Sequence, residues 1–240
     1  MRIVVFQHAK VEHPGMFRNL FREDGFAWDV VELDRGEPIP DLDPYDLMVV
    51  MGGPQDVWQE SEHPWLVEEK AAIRQFVVEM QRPFLGVCLG HQLLADALGG
   101  AVRIADTPEV GVMTVELTSD GETDPLFRGM GSPLTVFQWH GAEVSALPAE
   151  ATVLASSPHC AVQAFRYGRQ AYGLQYHVEI TEDTVDEWAA IPVYAAALEK
   201  ALGEDALAVL RGEVAKRLAA FGDDCRSLYR NLMQVAHPCT

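Results

Sequence analysis

Phe84-Leu85-Gly86-Val87-Cys88-Leu89-Gly90-His91-Gln92 is the stretch that decides the fold. Phe84 to Val87 is an apolar run too short for a buried helix and reads as a strand, while His91 to Leu98 reads as a helix. Between them, Gly86-Val87-Cys88-Leu89-Gly90 has the spacing of the G-x-S-x-G elbow with cysteine in the serine position. A turn that sharp crowds its own backbone, so it needs small flanking residues, and it thrusts the central side chain out at the carboxyl edge of a sheet. A thiol at the first turn of a helix also sits at the helix's positive end, a setting that favours thiolate. The same pentapeptide suits a small buried cysteine, so a chemical role for Cys88 needs support from elsewhere in the chain.

Working outward, Arg2 to Gln7 reads as a buried strand, Met16 to Glu23 as a short amphipathic helix and Trp28 to Leu33 as a second strand. Leu47 to Met51 is a third strand, ended by the turn Gly52-Gly53-Pro54. Trp65 to Met80 has helical spacing, with Glu68, Glu69, Lys70 and Arg74 assigned to its outer side. Strands alternating with helices imply parallel pairing through right-handed crossovers, and sites in such sheets lie at the carboxyl ends of the strands. That rule picks out Gly53 and Cys88.

From Gly111 to Tyr176 the pattern changes to short strands separated by Gly, Pro and Ser turns: Val112–Leu117, Leu134–Gln138, Thr152–Ser156, Val162–Tyr167 and Tyr172–Tyr176. After Thr181 the chain becomes helical, at Val193–Leu202 and Ala206–Phe221, and Trp188 and Tyr194 are expected to face the core. The expected architecture is α/β: a mostly parallel central sheet flanked by helices, with an additional antiparallel β portion. Residues 1–240 are expected to form a single domain with a helical segment from about 181 to 240, because no linker, repeat or low-complexity stretch interrupts them.

At 240 residues, 48% of them hydrophobic, the chain can bury a full core without a staple. Cys88, Cys160, Cys225 and Cys239 lie far apart and form no metal-binding or disulfide pattern, so no metal, no cofactor and reduced thiols are expected. A net charge of −18 disfavours contact with nucleic acid or an anionic membrane. The N-terminal apolar run is too short for a signal peptide and no stretch is long enough to span a bilayer, which makes a cytoplasmic address the default.

A cysteine nucleophile needs a base, and the base needs an orienting group. Tyr172 to Glu179 supplies both if it continues as a strand, since residues two apart then share a face and Glu179 accepts the Nδ1–H of His177. A lone His-x-Glu is more often a solvated strand end. Acyl transfer also needs donors for the oxyanion, here the backbone N–H of Leu89 and one from Gly52-Gly53, although Gly-Gly-Pro also suits a plain turn.

Four segments together resemble the class I, or triad, glutamine amidotransferases, especially small stand-alone members related to the amidotransferase domain of GMP synthase. They are Met51-Gly52-Gly53-Pro54, Gly86 to Gln92, Gln138-Trp139-His140-Gly141 and Gly173 to Glu179, and they span most of the chain. The resemblance implies a flavodoxin-like fold, the triad Cys88, His177 and Glu179, an oxyanion hole at Gly53 and Leu89, and attack on the glutamine side-chain amide through a γ-glutamyl thioester. It further implies that Gly52, Gln92, Gln138, Trp139 and His140 help bind substrate. His140 also suits a turn histidine beside the pocket, and His8, His91 and His159 read as structural. Two positions depart from the family: Val178 replaces its usual proline, and Ala142 replaces a frequent acidic residue after Trp-His-Gly.

No phosphate-cradling loop is visible and the length leaves no room for a second large catalytic domain, so any ammonia acceptor belongs to a synthase on another chain. Two alternatives stay open. One is a γ-glutamyl peptidase or hydrolase with the same triad and a different leaving amine, and the other is a non-catalytic partner or ligand-binding protein that keeps the fold.

Overall fold

The computed structural model describes residues 1–236. Cys239 lies outside the described residues; Cys88, Cys160 and Cys225 are all buried free thiols.

Four crossovers build the parallel half. β1 (Arg2–Gln7) pairs in parallel with β2 (Ala27–Glu32) and β3 (Leu47–Val50), β3 with β4 (Phe84–Val87), and β4 with β9 (Ala171–Leu174). The antiparallel half is made by β5 (Ala101–Leu117), β6 (Leu134–Ala146), β7 (Ala151–Ser156) and β8 (Ala164–Tyr167). Together they form one nine-stranded mixed sheet in the order β2-β1-β3-β4-β9-β8-β7-β5-β6. Strand order reverses at β1, which leaves a crevice between the carboxyl ends of β1 and β3.

Apolar residues cover both faces of the parallel strands, as buried parallel sheets require. On one face Ile3, Val5, Val49 and Leu85 pack against Phe17, Leu20 and Phe21 of α1 (Phe17–Glu23) and Leu228, Tyr229 and Leu232 of the last helix, α7 (Ala206–Ala236). On the other, Val4, Phe6, Met48 and Val50 meet Leu66, Ile73 and Phe76 of α2 (Trp65–Arg74, continued by a π-helical turn at Gln75–Glu79) and Leu93 and Leu94 of α3 (Leu89–Ala97). The phenol of Tyr229 donates to Asp24 at 2.6 Å, tying α7 to the end of α1.

Three expectations are corrected. The short strands at 112–117 and 134–138 are parts of one long hairpin, β5 with β6, whose register shifts between Ile104 and Glu109; the polar, proline-containing Asp106-Thr107-Pro108 breaks the alternation a sequence reader relies on. The strand expected over Tyr172–Tyr176 ends at Leu174, and His177 pairs instead with Phe137 in an isolated antiparallel bridge. The final helix runs on from Phe221 to Ala236, because Cys225, Leu228 and Leu232 continue its buried stripe.

After the short α4 (Ser119–Thr123), the remaining helices α5 (Thr184–Ala189) and α6 (Pro192–Leu202) join α7 over β5 and β6. Trp188 and Tyr194 are buried there with Phe137 and Trp139, ring centroids 5.7–6.0 Å apart. If α7 is part of the core, Leu228→Ala should cost about 2–5 kcal/mol, while Val209→Ala, 55% exposed on the same helix, should stay within about 0.5 kcal/mol. Urea denaturation of the two variants checks this, and equal small losses would mean that α7 is only loosely attached.

Candidate active site

The elbow is built by backbone crowding. Cys88 has φ 52° and ψ −104°, a left-handed conformation that side-chain-bearing residues rarely adopt. Its own N–H donates to the Leu174 carbonyl at 2.8 Å, and the Gly90 N–H to the Met51 carbonyl at 3.1 Å. A Cβ on Gly86 would lie 2.3 Å from the Gly90 carbonyl oxygen, and one on Gly90 would lie 2.2 Å from that of Val50. Both glycines are therefore required for β4 and α3 to meet beside β3.

His177 lies beyond β9, only 1% exposed, with Nδ1 2.7 Å from Glu179 Oε1. The second Glu179 oxygen accepts the backbone N–H of Val178 at 3.0 Å, which fixes the carboxylate without a proline at that position. Burial opposes a proton on the imidazole, but the Glu179 carboxylate and a hydrogen bond with Cys88 outweigh it and hold the pKa well above its usual value. Trp188 of α5 packs edge-on against the same ring, centroids 4.7 Å apart. The strand that sequence reasoning invoked to align His177 with Glu179 is absent, and the bridge to Phe137 takes its place.

Cys88 opens into a cavity of about 470 Å³. Gly53, Leu89, Gln92, Trp139, His140 and Ala142 line it, and α6 supplies a wall that includes Tyr194 and Lys200. The N–H groups of Gly53 and Leu89 have no protein acceptor among the described residues, so both are available to a ligand. Gln92 donates both amide hydrogens, to the Ala142 carbonyl at 3.1 Å and to Gln175 at 3.0 Å, which leaves its carbonyl oxygen as the group it can offer.

Gly52 and Gln138 are not in the wall. The Gly52 carbonyl oxygen faces His8, 2.9 Å from Nδ1, and Gln138 is fully buried behind the wall, where it donates to Gln163 at 2.9 Å. His140 lies on β6 rather than in a turn: Nδ1 donates to the Ala142 carbonyl at 2.9 Å and Nε2 is 3.1 Å from Glu109. Glu109 also accepts from Ser157 and Gln163, and although burial raises its pKa, these donors bring it below the usual carboxylate range.

Sequence reasoning missed Glu12, buried beside Gly52, whose carboxylate accepts the Tyr194 hydroxyl at 2.5 Å. It also placed Glu69 on the outer side of α2, whereas Glu69 is fully buried against His8 at 2.9 Å. A histidine ending one strand and a glutamate on a distant helix carry no local signal that they pair.

A family model for class-I glutamine amidotransferases matches residues 16–188. The mixed sheet with its elbow cysteine defines an α/β protein of that type, and the chain belongs to the class-I glutamine amidotransferase family. It is 35% identical to a glutamine amidotransferase-like protein, YfeJ, of Salmonella typhimurium, covering 78% of this chain and 79% of that one. A glutamine-hydrolysing GMP synthase chain of Sulfolobus acidocaldarius is 32% identical (72% and 88%), and γ-glutamyl peptidase 3 of Arabidopsis thaliana 30% identical (72% and 70%). The crystal structure of a glutamine amidotransferase from Thermotoga maritima superposes with a TM-score of 0.86 at 32% identity, covering 98% of each chain. Among the described residues no helix is long and apolar enough to cross a membrane.

His91, next to the elbow, is fully buried edge-on to Phe165, and burial pushes its pKa from 6.5 down to about 3. The unfolded chain therefore binds a proton in that window that the folded one does not, so this contribution to stability is complete above pH 6.5 and is lost as pH falls toward 3. The urea midpoint of the wild type should drop more between pH 6.5 and about 4 than that of His91→Gln. Parallel curves would show that the imidazole takes up its proton in the folded state.

Proposed function

We propose that the protein hydrolyses a γ-glutamyl amide through a cysteinyl thioester, with glutamine the first substrate to consider. Cys88 Sγ attacks the γ-carbonyl carbon; the C–N bond breaks as His177 hands a proton to the leaving amine, and water then attacks the thioester with His177 as base. Glu179 holds the tautomer and orientation of His177, and the N–H groups of Leu89 and Gly53 receive the oxyanion. The observation that carries this reading is the buried His177 ring, held between Glu179 and Cys88 where the thiol opens into the cavity. Gln92, Trp139 and His140 form the substrate wall. Gly52 and Gln138 support it from behind.

Ammonia released in this way would serve a synthase subunit on another chain in the cytoplasm, which the relationship to a glutamine-hydrolysing chain of GMP synthase supports. A second reading, cleavage of a γ-glutamyl peptide, is favoured by the cavity itself. Beyond Cys88 it continues along Val193, Ala197, Ala201 and Leu202, an apolar wall that suits a leaving amine larger than ammonia. The relationship to an Arabidopsis γ-glutamyl peptidase agrees with it.

Glutamate release from glutamine and from a γ-glutamyl dipeptide, with intact mass for a γ-glutamyl adduct, separates the two readings. Cys88→Ala should abolish both release and adduct; wild-type turnover in that variant would end the proposal. Glu179→Gln keeps shape but supports the wrong imidazole tautomer, so kcat should fall on the order of 10³-fold or more with the melting temperature nearly unchanged. A wild-type rate there would remove Glu179 from the machinery.

A further inference from the structure

The Gly52-Gly53 peptide is gripped from its buried side. His8, the first residue past β1, places Nδ1 2.9 Å from the Gly52 carbonyl oxygen and Nε2 2.9 Å from Glu69 Oε1 on α2, with both side chains fully buried. A carbonyl only accepts, so Nδ1 carries a hydrogen, while Nε2 is held by the Glu69 carboxyl group. Trp65 stacks on the imidazole, centroids 5.4 Å apart and rings 14° from parallel. Gln55 donates to the His8 carbonyl at 3.2 Å, closing the turn over the same residue. Glu12 blocks the remaining side, since a Cβ on Gly52 would lie 2.5 Å from its Oε2.

We propose that His8, backed by Glu69, is a positioning residue for the oxyanion hole: by binding the Gly52 carbonyl it sets the plane of the Gly52-Gly53 peptide and aims the Gly53 N–H at the acyl oxygen beside Cys88. The peptide is trans, and in a planar trans peptide the C=O and the following N–H point in opposite directions. A carbonyl pinned toward buried His8 therefore turns the N–H outward, to the cavity that Gly53 lines. The pin is needed because glycines on both sides leave this peptide almost free to rotate. They cannot be replaced to stiffen it, since a Cβ on Gly53 would lie 2.8 Å from His8 Cβ and from Leu89 Cδ2. A donor already bonded at its carbonyl is also the stronger donor at its N–H, because hydrogen bonds in series polarise one another.

This inference rests on the amidase reading, and its test uses two substitutions that split the histidine's bonds. His8→Asn keeps an N–H near the position of Nδ1 and gives up Glu69. His8→Gln reaches the position of Nε2, keeps Glu69 and gives up Gly52. Acylation of Cys88 is followed by quenched-flow intact mass, using glutamine or the γ-glutamyl dipeptide, whichever the wild type turns over. Cys88 alkylation by iodoacetamide, which forms no oxyanion, is measured beside it at a temperature where all three proteins are folded.

His8→Gln should acylate ~10–100-fold more slowly with KM little changed and alkylation unaltered, while His8→Asn stays within a few-fold of wild type. Wild-type acylation in His8→Gln overturns the inference, as does an equal loss in both variants or a parallel loss of alkylation. A wild type that forms no adduct with either substrate while its Cys88 still alkylates overturns the amidase reading itself.

Discussion

The closeness of three backbones at the elbow is the constraint on which the rest of the structure depends. Cys88 is held at positive φ, a conformation that costs on the order of 1–3 kcal/mol, and it persists because its neighbours over-determine it. β9 accepts its N–H, the Met51 carbonyl just past β3 accepts that of Gly90, and glycines at 86 and 90 leave out the Cβ atoms that would push the backbones apart. Spreading β3 from β4 by a single methyl would move the thiol, the start of α3 and the Gly52-Gly53 turn together. The parallel register of β3, β4 and β9 is thus also the geometry of the site.

Around that elbow the carboxyl edge of the sheet carries three buried histidine–glutamate pairs: His8 with Glu69, His140 with Glu109, and His177 with Glu179. Buried pairs of this kind are poor stabilisers, because desolvation offsets much of their attraction. What they do well is orient. In each pair the carboxylate holds one ring nitrogen and the other meets a group at the site: the Gly52 carbonyl, the Ala142 carbonyl, or Cys88. Only the last faces a reacting atom in the proposed mechanism, and the other two hold backbone that lines or supports the cavity.

The C-terminal helices tie this edge to the far end of the chain. Trp188 buttresses the His177 ring, and Tyr194 reaches Glu12 while closing one side of the cavity. Aromatic burial here serves both purposes, since the same cluster that anchors α5 and α6 to β6 limits how His177 can rotate. Without α5 and α6 the site would lose both the cavity wall and the support of its imidazole.

Local chemistry carried much of this into the sequence. The parallel half was legible because Arg2–Gln7, Leu47–Val50 and Phe84–Val87 are short apolar runs with helices between them, and the strand–cysteine–helix elbow announced itself through glycines that only a crowded turn requires. The antiparallel half was legible only in fragments, since the Asp106-Thr107-Pro108 interruption hides the unity of a 17-residue strand from any reader of periodicity. His177 and Glu179 stood out as neighbours, but what brings them together is a bridge to Phe137, a partner forty residues away. Glu12 and Glu69 gave no sign of their places, and nothing local showed that Tyr194, expected in the core, would reach Glu12 or that Gln138 would bond Gln163 behind the cavity wall. The sequence by itself determined that a cysteine stands at a crowded strand–helix turn and that a histidine and a glutamate lie two residues apart, because steric and electronic demands act within a few bonds. Only the tertiary structure decided that Glu69 serves His8, that Glu109 serves His140 and which side chains wall the cavity, because a buried charge finds its partner through space, across elements whose order along the chain says nothing of their distance.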